Sequence, residues 1–178
     1  MVTILIILLA LFTKALLGEE HFHIVPVNST SLCQHYPNGT CFTLDTFSSQ
    51  MGNTEKRNIT LSFLPGEHLL TQGITFNDMY SITLINEPES NTSPRISCVE
   101  NIGLTISNSN TVIMNGLEIY GCVNWGAILS FYDVGSLFMQ DCKFLENVNK
   151  SPNICEPSYR SGTTHIVRTA AVIRNCIY

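Results

Sequence analysis

Apolar and polar residues alternate along short runs of this chain, and one such run returns twice: Val112–Ile119, Leu137–Phe144 and Ala171–Tyr178. The copies start 25 and then 34 residues apart. Earlier runs share the alternation, at Ile59–Leu64, Ser81–Ile85 and Leu104–Ser107, with Gly, Asn, Asp, Pro and Ser between them. Alternation bounded by turn-forming residues predicts β-strands. Recurrence at such a spacing predicts a solenoid, in which each copy buries its apolar side against its neighbours.

Laying the runs over one another puts Leu61 and Phe63 over Ile82 and Leu84, then Val112 and Met114, Leu137 and Met139, and Ala171 and Ile173. The steps are 21, 30, 25 and 34 residues, so one coil is expected to recur with loops of different length added. These residues point inward, followed by the stacks Leu117/Cys142/Cys176 and Ile119/Phe144/Tyr178, while Asn115, Gln140 and Arg174 point outward. Glu118 and Lys143 take equivalent outward places, as do Gly116, Asp141 and Asn175. The expected loop expansions are Glu87–Pro94 and Asn147–Gly162. The fold class is therefore all-β, a parallel solenoid of about four to five coils. An antiparallel β-sandwich is the alternative, since it too has short strands at regular turns.

The chain divides into three parts. Met1 to Leu17 is apolar except for Lys14 and the polar Thr3 and Thr13. It is short for a spanning helix and sits where a secretory signal sits, so residues 1–18 are assigned as a signal peptide, with an uncleaved signal anchor as the alternative. Residues 19–57 are a polar, turn-rich segment in which Thr43 caps a short helix whose Leu44 and Phe47 share one face. That helix is expected to cover an open end of the stack. Residues 58–178 are the coils, expected to be incomplete because a copy of the repeat ends at Tyr178.

Among the 178 residues, 44% are hydrophobic and 13% charged, which is ample for a continuous core. The net charge of -5 supplies no basic stripe, so nucleic acid is not an expected partner. Membrane attachment is expected only through an uncleaved signal or a missing C-terminal anchor. Four sequons, at Asn28, Asn38, Asn58 and Asn91, add N-glycosylation to the expectation of a secreted or cell-surface location.

All seven cysteines follow the signal segment, in what is then an oxidising compartment. Cys33 and Cys41 flank the turn signal Pro37-Asn38-Gly39, which brings them together. Cys98 and Cys122 lie 24 residues apart, about one coil, so they face each other across neighbouring rungs. Cys142, Cys155 and Cys176 are left with one thiol over. Cys142 and Cys176 read either as small buried apolar residues or as partners of something beyond Tyr178.

Several strings carry a resemblance. Cys41-Phe42-Thr43-Leu44-Asp45, Leu61-Ser62-Phe63-Leu64-Pro65-Gly66-Glu67-His68-Leu69-Leu70, Ile96-Ser97-Cys98 and Leu117-Glu118-Ile119-Tyr120-Gly121-Cys122 together resemble pectin-lyase-like domains of large invertebrate surface proteins. The resemblance runs over most of the chain from about Cys33. It implies a right-handed parallel β-helix and an extracellular setting, and says little about activity.

Catalysis needs its own residues. The Asn-Thr-Asp, Asp-Asp, Gly-His-Gly and Arg-x-Lys strings used by hydrolases of that fold are absent from the sequence. A glycosidase pair needs two carboxylates within about 5 to 9.5 Å, and the stacking puts Glu118 beside Lys143 instead. His21 and His23 share a side of one segment but lack a third metal ligand. His68, after Pro65-Gly66, is expected to fix a turn. Ser130, Ser136 and Ser161 have no Gly-x-Ser-x-Gly context. Tyr120 and Trp125 form a possible sugar-stacking surface. The expected function is a non-enzymatic β-helix module, a rigid scaffold or a surface for an extracellular protein or glycan, with no cofactor. The alternative is a polysaccharide lyase or hydrolase fragment whose catalytic coils are missing.

Overall fold

The computed structural model describes residues 18–50, 57–87, 92–124, 127–149 and 164–177. Residues 1–17 of the signal segment, Asn91, Trp125, Cys155, Ser161, Tyr178, half of the expected expansion at 87–94 and most of that at 147–162 lie outside the described residues.

Seventeen short strands carry the described chain. They are β1 (Glu19–Val25), β2 (Cys41–Thr43), β3 (Asn58–Phe63), β4 (Glu67–Leu70), β5 (Ile74–Asn77), β6 (Ser81–Asn86), β7 (Arg95–Cys98), β8 (Leu104–Ser107) and β9 (Thr111–Asn115). There follow β10 (Glu118–Tyr120), β11 (Val123–Asn124), β12 (Leu129–Tyr132), β13 (Ser136–Gln140), β14 (Lys143–Leu145), β15 (Val148–Asn149), β16 (Thr164–Val167) and β17 (Ala171–Arg174). A short 3-10 helix spans Thr30–His35, and one α-helix, α1 (Leu44–Gln50), follows β2.

Three sheets account for nearly all the strands. The first runs β17-β13-β9-β6-β3-β1-β2, the second β14-β10-β7-β4, and the third β16-β12-β8-β5, with β11 and β15 as a separate pair. From β3 onward the chain visits the first, second and third sheets in rotation. Every described strand pair is parallel. The antiparallel sandwich therefore has no support among the described residues.

Alternation decides what the sheets bury. On the first sheet the in-register row Ile59, Ile82, Val112 and Leu137 is buried, and so is the row Leu61, Leu84, Met114 and Met139. On the third sheet Phe76, Ile106 and Phe131 make the matching row. All belong to one apolar cluster, each side chain contributing about 1.5–3 kcal/mol by leaving water. Asn115, Gln140 and Arg174 are outside, as expected.

Two expectations need correction. Leu61 pairs with Leu84 and Phe63 with Asn86, two residues from the expected alignment. A slip of two keeps every side chain on its own face, so the apolar pattern cannot detect it. The turn-rich N-terminal segment also holds two strands: β1 is inserted between β3 and β2 and adds Phe22 and Ile24 to the inward rows.

The corners have their own chemistry. Asp78, Asn108, Asp133 and Arg168 follow the ends of successive third-sheet strands, and all have φ between 48 and 58°. Asn and Asp accept this left-handed conformation more readily than other side-chain-bearing residues; Arg168 shares it and forms an ion pair with Asp133 at 2.6 Å. One residue further on, hydroxyls alternate with apolar side chains. Ser109 Oγ accepts the Met79 amide at 3.2 Å, and Thr169 Oγ1 accepts the Val134 amide at 3.1 Å. Each hydroxyl also donates to a carbonyl two residues back, so these corner groups are satisfied from one rung to the next.

Candidate functional site

Strands β4, β7, β10 and β14 bring four charged residues into one outward row. Glu67 pairs in register with Arg95, Arg95 with Glu118, and Glu118 with Lys143. The signs alternate along the row, with neighbouring strands about 4.8 Å apart. Glu118 is only 8% exposed. Its Oε1 accepts from Arg95 Nε at 2.8 Å, and its Oε2 lies 3.9 Å from Lys143 Nζ. Arg95 and Lys143 keep about half of their side-chain surface in water.

A second outward row stands beside the first: Leu69, Ser97, Tyr120 and Leu145. The Arg95 guanidinium lies over the Tyr120 ring, 4.6 Å from its centroid. The Tyr120 hydroxyl donates to Glu146 Oε2 at 2.6 Å, and this bond to a carboxylate raises the phenol above its ordinary value. Where the charged row meets the turn after β3, a groove of about 320 Å³ is lined by Gly66, Glu67, Thr92, Ser93, Arg95 and Glu118.

This arrangement limits the chemistry. Glu67 and Glu118 stand two strands apart, close to the span of an inverting glycosidase pair, but Arg95 occupies the strand between them and binds Glu118 directly. The sequence reading placed Glu118 beside Lys143 and missed Arg95, Glu67 and Glu146. The eight residues between β6 and β7 conceal that register, while Arg95-x-Ser97 and Glu118-x-Tyr120 share an outward period of two that could have revealed it. Of the proposed sugar-stacking pair, Tyr120 lies in this row with one face under Arg95.

The cysteines behave as the spacing predicts. Cys33 is bonded to Cys41 and Cys98 to Cys122. The sequons differ in setting: Asn28 and Asn38 are exposed in turns, whereas Asn58 lies within β3, its Oδ1 accepting from Ser81 Oγ at 2.8 Å.

The remaining candidates are structural. His68 is fully buried, with Nε2 donating to Leu64 O at 2.8 Å across the Pro65-Gly66 turn, and burial lowers its pKa from 6.5. His21 and His23 stack on one side of β1, and His23 also stacks on Tyr36 and meets Glu87 at 3.5 Å. Both histidines therefore sit inside a sheet rather than in an exposed N-terminal segment, the reading that their lack of a third ligand favours, since β1 is paired on both edges. No cluster of three metal-ligating side chains occurs among the described residues. Ser130 lies opposite His165 in register, but His165 Nδ1 shares its hydrogen bond with the Tyr132 hydroxyl, at 3.1 Å. Among the described residues, no helix is long and apolar enough to cross a membrane. The chain matches no protein-family model, no curated protein and no solved structure.

Proposed function

We propose that this chain is a non-enzymatic module of a secreted or cell-surface protein, a right-handed parallel β-helix similar to pectin-lyase-like domains, serving as a rigid surface for a glycan or protein partner. The rotation of parallel strands through three sheets supports the β-helix reading, and parallel crossovers are right-handed in nearly all known cases. Two disulfides and the exposed sequon residues Asn28 and Asn38 support an extracellular setting.

The observation that carries the reading is the row Glu67-Arg95-Glu118-Lys143 beside its groove. Its charges neutralise one another, which suits a binding surface and leaves Glu118 engaged by two cations rather than poised for proton transfer. Half-exposed Arg95 and exposed Glu67 offer directional hydrogen bonds at the groove wall.

The test combines a glycan array with a turnover assay on acidic polysaccharides, using the secreted full chain and its Arg95→Ala variant. Binding that Arg95→Ala abolishes, without any product, supports the proposal. Cleavage products would overturn it in favour of the polysaccharide-active alternative. Absence of both would reduce the role to that of a scaffold.

A further inference from the structure

Cys142 and Cys176 are both unbonded thiols and occupy the same place on consecutive rungs. Gln140 pairs with Arg174 before them and Lys143 bridges Ile177 after them, so the register passes through the two cysteines without a slip. Their local conformations match. The preceding residues, Asp141 and Asn175, both have φ of 52°. Each thiol donates to the carbonyl two residues back, Cys142 to Gln140 at 3.3 Å and Cys176 to Arg174 at 3.4 Å. Two identical corners one rung apart hold their Cα atoms at about the strand spacing of 4.8 Å. That falls inside the span a disulfide bridges. It also equals the 4.8 Å Cα separation of the bonded pair Cys98–Cys122 in the same molecule.

We propose that Cys142 and Cys176 form a third disulfide, which staples the last described rung to the one before it.

The two sulfurs differ in access, and this sets the order of events. Cys142 is fully buried and Cys176 half-buried, at the end of the stack. Burial above all, with a contribution from the adjacent Cys176 thiol, pushes the Cys142 thiol up to about 11. The accessible Cys176 therefore reacts first, as thiolate, with a disulfide oxidant such as oxidised glutathione. That step forms a mixed disulfide and releases one glutathione thiol. Cys142 then loses its proton, and its sulfur attacks the Cys176 sulfur, forming the Cys142–Cys176 bond and releasing the second glutathione. Two protein thiols are oxidised and one glutathione disulfide is reduced; both protons end on the released thiols. The alternation Leu117, Cys142, Cys176 along one inward column puts the bond directly above an apolar floor.

The test uses the full chain, incubated with oxidised glutathione, alkylated without reduction and mapped by mass spectrometry. The expected result is a peptide pair joined through Cys142 and Cys176, with loss of the alkyl adduct at both positions and its return after reduction. The Cys142→Ser and Cys176→Ser variants should each restore an adduct, or a glutathione, on the remaining cysteine. Alkylation of both cysteines in oxidised wild-type protein would overturn the proposal. So would bonding of Cys176 to Cys155 or to a second chain, and wild-type mapping reads these outcomes whether or not the variants fold.

Discussion

The two ends of the stack carry equivalent residues in opposite circumstances. At the N-terminal end the inward row begins with Phe22, whose ring meets those of Phe42 at 5.9 Å and Phe47 at 5.3 Å. Helix α1 supplies Phe47 and Leu44, both buried, and Thr43 Oγ1 caps it by accepting the Thr46 amide at 3.3 Å. At the other end the last described member of the row is Ile173, which is 40% exposed although its neighbour Met139 is 1% exposed. Position in a rung therefore does not bury a side chain; the next layer does. A parallel stack is as stable at each level as the layer that covers it.

Substitution at the ends breaks the comparison most directly. Phe47→Ala should cost about 3–5 kcal/mol, since it empties a site surrounded by aromatic rings. Ile173→Ala should cost less, about 1 kcal/mol, because that residue is already 40% exposed. Urea denaturation monitored by circular dichroism would check both, and equal losses would mean that α1 does not act as a cover.

A smaller effect follows from pH, and it too falls on the covered end. Burial disfavours the protonated imidazole of His68, and burial opposed by Glu87 does the same for His23. Below pH 6.5 the unfolded chain binds more protons at these sites than the folded chain does. The stability they contribute is complete above that value and is lost as pH falls through the lowered folded values. Hydrogen exchange should therefore show β1, β3 and β4 losing protection on acidification before β13 does. His68→Gln should flatten that loss, and an unchanged acid response in the variant would remove His68 from the account.

The smallest effect belongs to the middle of the stack. Glu118→Gln removes a carboxylate whose two partners are half in water, so it should cost about 1 kcal/mol or less and cost less still at high salt. A loss that salt leaves unchanged would point to packing of the Glu118 stem instead. Because this site is far from either end, the difference between Phe47→Ala and Ile173→Ala should be the same in the Glu118→Gln background.

Much of this organisation was legible in the chain. The rows Val112/Leu137/Ala171 and Met114/Met139/Ile173, the helix cap at Thr43 and both disulfides follow from alternation and spacing. The slip at Leu61 was invisible because a shift of two preserves the face. Strand β1 was legible in principle, since His21 and His23 alternate with Phe22 and Ile24, but polar composition and close turns obscured it. The exposure of Ile173 was not legible, because alternation gives the face of a side chain and not what covers it. The charged row was the least accessible, because register across the segment 87–94 depends on pairing rather than on sequence distance.

The corners differ in how freely they vary. Between the third and first sheets the connection is always three residues, 78–80, 108–110, 133–135 and 168–170, and each begins with a left-handed residue. Between the first and second sheets it is three, eight, two and two residues, at 64–66, 87–94, 116–117 and 141–142. One edge of the molecule thus behaves as a fixed spine and another as an open margin. Natural insertions, or a foreign epitope spliced in for display, would be tolerated at 87–94, whereas a single added residue at 108–110 would throw every later rung out of step.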